Sequence, residues 1–187
     1  METKQRCAWC EKDDLYRNYH DNEWGKPVYD DATIFEFLIL ETFQAGLSWY
    51  TVLAKRKNFR RAFENFDLKK IANYSEEKMA ELAEDTGIIR NKLKIKATVS
   101  NAQAFIKIQE EFGTFSKYIW GFVDGKPIDN TPKTMADVMA TTEISDILSK
   151  DLKKRGFKFV GSTVVYAHMQ ATGMVDDHVA DCWKRTS

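Results

Sequence analysis

Apolar positions along this chain recur mostly at three- and four-residue intervals, in long segments separated by short polar breaks, which is the pattern of amphipathic helices rather than strands. One helix is predicted to start after Asp30 or Asp31 as its N-cap. It carries Ile34, Phe35, Phe37, Leu38, Ile39 and Leu40, apolar on nearly every side, and is expected to run through the core. A second is expected after Gly46, from Ser48 to about Lys55, and a third from near Ser75 with Met79, Leu82 and Ala83 as its apolar face; both read as short. The longest runs from about Asn91 to Phe112, where Ile95, Val99, Ala102, Phe105, Ile106 and Phe112 keep the helical period. Ile144, Ile147, Leu148 and Leu152 mark another. The last spans Ser162 to Thr172, closed by Gly173 as its C-cap.

Only Pro27, Pro127 and Pro132 punctuate the chain, and Gly121 to Thr134 reads as loop. The expected fold class is therefore all-α. With no repeat, low-complexity tract or linker, residues 1–187 are expected to form a single domain, built as one lobe or as two helical lobes with both termini in one of them.

Composition narrows the functions available. Of 187 residues, 43% are hydrophobic, enough for a sizeable core, and five Trp include several in polar, turn-like settings, so some aromatics are candidates for surface work. The formal net charge is zero, so nucleic acid would have to be held by a local basic patch rather than by the field of the whole protein. The first residues lack the apolar core of a signal peptide, and no stretch suits a membrane span, which leads us to expect a soluble, cytoplasmic protein.

Three Cys and three His suggest metal more than disulfide chemistry. His178 and Cys182 are four apart, so on a helix both side chains would share one face and could bind one ion. Near the other end, Cys7, Cys10 and His20 offer three candidates for two remaining tetrahedral positions, and spacing alone does not choose among them. Coincidence is the competing explanation for so few residues. Four protein ligands would leave no open position for water, making the zinc structural and a staple between the termini.

Five segments carry a resemblance that covers almost the whole chain. They are Tyr-His-Asp-Asn-Glu-Trp-Gly (19–25), Glu-Thr-Phe-Gln-Ala-Gly-Leu-Ser-Trp (41–49), Gly-Ile-Ile-Arg (87–90), Lys-Lys-Arg-Gly-Phe-Lys-Phe-Val-Gly (153–161) and Asp-His-Val (177–179). In this order and spacing, the chain resembles the bacterial 3-methyladenine DNA glycosylase I family. The resemblance implies a helix-hairpin-helix DNA glycosylase fold, with one structural zinc held by Cys7, His20, His178 and Cys182. Cys10 and His168 match no ligand of the family, and His168 is assigned to ordinary packing.

The implied reaction removes 3-methyladenine from alkylated double-stranded DNA and leaves an abasic site. Methylation at N3 makes the base cationic and its bond to the sugar labile, so the protein mainly has to find and expose it. Exposure means flipping the nucleotide out of the stack, commonly with an apolar wedge filling the gap. Leu47, after Gly46 at a helix break, is placed to be that wedge; a buried interhelix leucine is the competing reading. Glu41 lies three and four residues beyond Leu38 and Phe37, on a face fit for the core. From pattern alone it is equally a residue at an exposed helix end, and the resemblance assigns it to the flipped base. Trp49, Tyr19 and Tyr16 resemble the family's aromatic pocket, where a cationic base gains cation–π attraction, with Trp9 and Trp24 as further candidates.

The hairpin candidate is Thr86-Gly-Ile-Ile-Arg-Asn-Lys. There Gly87 would permit a tight turn, amides at the next helix start would take a phosphate, and Arg90, Lys92, Lys94 and Lys96 would add positive charge. Lys150, Lys153, Lys154, Arg155 and Lys158 form a second basic run, for which a solvated helix face is the plain alternative. The family lacks the aspartate with which other glycosylases of the superfamily stabilise sugar charge, and Phe115-Ser-Lys-Tyr-Ile-Trp-Gly offers no substitute. A narrow, monofunctional, monomeric enzyme without lyase activity is expected. The rivals are a glycosylase that also takes 3-methylguanine and a zinc-stabilised binding module without catalysis.

Overall fold

Most of the long helices begin where a short polar side chain can take up otherwise unpartnered N–H groups. Asp13, Asp30, Ser48, Ser75, Asn91 and Thr142 each accept from a backbone amide two or three residues on, an arrangement that contributes about 1 kcal/mol per helix. The computed structural model describes residues 4–185. Among these, α1 is Asp14–Asn22, α2 Asp31–Gln44, α3 Trp49–Ala62, α4 Leu68–Ala72, α5 Glu76–Glu84, α6 Lys92–Phe112, α7 Phe115–Trp120, α8 Glu143–Lys154 and α9 Ser162–Ala171. Two short strands, β1 Ile128–Asp129 and β2 Val175–Asp176, pair in parallel, Ile128 opposite Val175.

The helix apolar on nearly every side is the axis of the molecule. Ile34 to Phe43 of α2 are buried apart from Glu36, and α2 packs against α3, α6, α7 and α9. Asp31, at its start, accepts from the Gln109 side chain and from the amides of Phe115 and Ser116, tying α2 to α6 and α7 with one carboxylate. The large core holds α2 together with the buried faces of α6 and α9. A smaller cluster of Cys7, Tyr19, Trp24, Phe37, Val179 and Cys182 joins the two ends of the chain.

Several expectations need correction. α3 runs to Ala62, because Val52, Arg56, Phe59 and Ala62 continue one buried face; the cation in that series is held by Glu23 and Glu36. α4 has too few apolar positions to show a period. Ile147 is half exposed, and α8 is seated instead by Ile144, Leu148 and Leu152. The stretch 121–134 contains a helical turn at Gly121–Val123 and β1. Residues 177–182 form no helix: Gly173 ends α9 at a positive φ of 66°, and pairing of β2 with β1 then draws the chain out extended. A Cβ on Gly173 would come within 2.3 Å of the Lys26 carbonyl carbon, so the turn after α9 sits directly on the chain leading into α2.

Candidate active site

A cavity of about 230 Å³ opens between α1, α2, α3 and α9. Trp9, Tyr16, Tyr19 and Trp24 form one wall and Trp49 another, with Glu41 and Gln44 contributed by α2 and Gln170 by α9. The aromatic rings support one another at edge-to-face and tilted angles: Trp9 lies 4.8 Å from Tyr16 and 5.1 Å from Trp24, and Tyr19 lies 5.4 Å from Trp49, centroid to centroid.

Glu41 is 3% exposed, which rules out the exposed-helix-end alternative. Its Oε2 is buried without a hydrogen-bond partner among the described residues, and so is Nε1 of Trp49. Burial pushes the Glu41 carboxyl well above its ordinary range, favouring the neutral acid over the carboxylate. Burial, and after it the charge of Glu41, pushes the Tyr16 phenol up to about 12, which keeps it a donor. The cavity thus presents one unpaired acid, one unpaired indole N–H and several aromatic faces. A flat, polar-edged heterocycle would satisfy all of these groups.

Beyond Glu41, Gln44 and Ala167, a second cavity of about 210 Å³ reaches Gly46, Leu47, Thr163 and Val164. Gly46 has a φ of +82°, a left-handed conformation that favours glycine, and Leu47 is 45% exposed. The buried-leucine alternative is therefore set aside. Lys94, expected among the exposed cations, is buried and donates to the carbonyls of Phe43 (2.9 Å) and Ala45 (2.6 Å), closing the end of α2 beside this loop.

The α5–α6 connection holds Gly87, Arg90 and Lys92. Gly87 is needed for close approach rather than for a special φ: a Cβ there would meet Asp85 Oδ1 at 2.9 Å and Arg61 at 3.2 Å. Its amide donates to Asp85, and the Leu93 and Lys94 amides donate to Asn91. The Ile89, Arg90 and Lys92 amides have no partner among the described residues, and Arg90, Lys92 and Lys96 are exposed. In the second basic run Arg155 is engaged by Asp151 and Glu111.

At the joined termini, Cys7, His20 and Cys182 each offer a ligand atom, all within 4.8 Å of one another. Cys182 Sγ lies 3.4 Å from His20 Nε2. The His178 ring stands 5.0 Å from that of His20, and its buried Nε2 has no partner among the described residues. Both imidazoles are oriented through Nδ1, His20 by Asp21 at 2.9 Å and His178 by Asp176 at 2.7 Å. Cys10 instead donates to the Cys7 carbonyl at 3.1 Å. His168 meets the Ile34 carbonyl within the core. Gln44 and Gln170 were not anticipated as pocket residues. Gln44, three residues after Glu41 on the same helix, carried a signal in its spacing; Gln170 sits among buried core positions of α9 and carried none.

A helical scaffold with an enclosed aromatic pocket, a lone buried acid and a half-exposed leucine beside it suits an enzyme that takes a base out of a nucleic-acid stack. A family model described as methyladenine glycosylase matches residues 9–185. The DNA-3-methyladenine glycosylase 1 of Escherichia coli (strain K12) is 47% identical over 178 residues, 95% of each chain. A crystal structure of a 3-methyladenine DNA glycosylase I agrees with a TM-score of 0.95 at 47% identity, covering 97% of this chain and all of that one. A variant of such an enzyme, solved in complex with 3-methyladenine, agrees with a TM-score of 0.94 at 37% identity, covering 97% and 98%. These findings define a glycosylase, a hydrolase of N-glycosyl bonds. The chain belongs to the methyladenine glycosylase family.

Proposed function

We propose that the protein flips 3-methyladenine out of alkylated double-stranded DNA, hydrolyses its N-glycosidic bond and leaves an abasic site. The observation that carries this reading is Glu41, a buried carboxyl with a free oxygen in a cavity walled by tryptophan and tyrosine. A cationic base entering beside it lowers the cost of ionising the acid, so binding of the lesion is coupled to release of the Glu41 proton. Tyr16, Tyr19 and Trp49 supply faces for stacking and cation–π attraction. A relative solved with 3-methyladenine bound supports the choice of base.

During the reaction, positive charge leaves the base and develops on the sugar, so attraction to the base favours the ground state. Glu41 therefore acts chiefly in recognition, and the lability of the lesion supplies much of the rate. No lysine lines the cavity among the described residues, which supports a monofunctional hydrolase without lyase activity. Leu47 fills the gap left in the duplex, with the smaller cavity behind it. The helix-hairpin-helix element at 86–92 takes the backbone, using Gly87 for its packing, Arg90 and Lys92 for charge, and the free amides for a phosphate.

One zinc ion fits the clasp by donor chemistry, because three clustered ligand atoms and the unpartnered Nε2 of His178 would together supply two thiolates and two imidazoles. Cys7, His20, His178 and Cys182 would hold it, and with no position left for water its contribution is to stability. No helix among the described residues is long and apolar enough to cross a membrane. Incubation with methylated duplex DNA and identification of the freed base tests the function. Release of 3-methyladenine, with little 3-methylguanine and no strand cutting, is expected; failure to release 3-methyladenine would overturn the reading.

A further inference from the structure

A polar network of four side chains, built on the buried Asp177 and Tyr166, lies behind the cavity and ends in it. Asp177, 1% exposed, accepts from the Tyr166 hydroxyl at 2.7 Å, from Asn130 Nδ2 at 2.8 Å and from Gln170 Nε2 at 2.7 Å. Asn130 Nδ2 also donates to the Tyr166 oxygen at 3.0 Å. The Tyr166 hydroxyl and both N–H groups of Asn130 are committed in this set, and the carboxylate can only accept. The orientation of the Gln170 amide follows: its oxygen turned toward Asp177 would set acceptor against acceptor, so the NH₂ faces the carboxylate. Gln170 also lines the cavity, and its Oε1 has no partner among the described residues. The backbone of Gln170 is fixed as well, its carbonyl accepting from the Gly25 amide at 3.0 Å.

We infer that Gln170 is a specificity-determining residue, its carbonyl oxygen held by Asp177 as an acceptor for the 6-amino group of the bound base. The inference rests on the reading of the cavity as the site of 3-methyladenine and adds a discriminating edge to it. Adenine bears an N–H donor at position 6 and guanine or hypoxanthine an oxygen. An acceptor that cannot rotate away pairs with the first and opposes the second, whereas an unpinned glutamine would flip its amide and accept both. The Asp177 network converts an adaptable side chain into a selective one.

Titration of the full chain with free 3-methyladenine and 3-methylhypoxanthine, which differ in the group at position 6 and in one ring N–H, tests this, the change of ratio on substituting Gln170 isolating the first difference. The parent protein should prefer the amino base by about tenfold or more, and Gln170→Met should lose about tenfold in affinity for 3-methyladenine while holding the oxo base nearly as before, narrowing the preference. A general loosening of the pocket would weaken both bases together, so the ratio separates the two roles. An unchanged ratio in a folded Gln170→Met or Gln170→Leu variant overturns the inference, and so does equal affinity of the parent for the two bases, even where neither variant folds. A parent that binds neither base overturns the reading of the cavity as well.

Discussion

At Glu41 the requirements of function oppose those of stability. The folded protein holds this proton at pH values where the unfolded chain has released it. The stability associated with Glu41 is therefore complete below the ordinary carboxylate range and is lost as pH rises toward the folded-state value. Glu41→Gln removes that titration. Thermal melts should show the variant more stable than the parent at alkaline pH, with the gap closing as pH falls to the ordinary carboxylate range. Its kcat/KM on methylated duplex should drop about 10- to 100-fold through loss of a charge-assisted contact. Unchanged excision together with unchanged base affinity would show that Glu41 does not hold the base. The position of this carboxylate beyond Leu38 and Phe37 was visible in the sequence, but its burial was not, because the end of α2 is covered by α1 and α9 residues distant along the chain.

At the scale of elements, helix starts were the most legible feature, because capping is a local exchange between one side chain and amides two or three residues on. Asp30, Ser48, Ser75 and Asn91 all cap helices foreseen from periodicity. The α3 extension was hidden because Arg56 reads as a surface residue until Glu23 and Glu36 are brought to it. Lys94 misled in the same way, since its partners are carbonyls at the end of α2. The connection between α5 and α6 accordingly exposes Arg90 and Lys92, with Lys96 one turn into α6, and lacks the fourth cation. The loop between α2 and α3 carries its own test. Leu47→Ala removes a half-exposed side chain, so the melting temperature should change little. Excision from duplex DNA should fall about tenfold, while release of the base from a single strand, where no gap needs filling, should be nearly unaffected. Equal effects on both substrates would remove the wedge role.

Over the whole molecule, the two ends close on each other: Trp183 N donates to the Gln5 carbonyl, Arg6 pairs with Asp21, and Cys182 meets His20. Purified protein should contain about one equivalent of zinc, and Cys182→Ala should lose it together with several degrees of melting temperature. Cys10→Ala should retain the metal. Chelation should lower the melting temperature of the parent and leave that of Cys182→Ala unmoved. Full zinc content in Cys182→Ala would remove this residue from the site. Periodicity and caps by themselves determined the predominantly helical class and the starts of α2, α3, α5 and α6, since both depend on neighbours within a turn or two of the chain. The ordered motifs placed the chain beside the methyladenine glycosylases and named the acid and most of the aromatic wall. Only the tertiary structure decided that residues 177–182 form no helix, that Glu41 is buried, and that Asp177 pins a glutamine in the pocket. Each of these depends on groups tens of residues apart, whose meeting is set by packing and not by spacing along the chain.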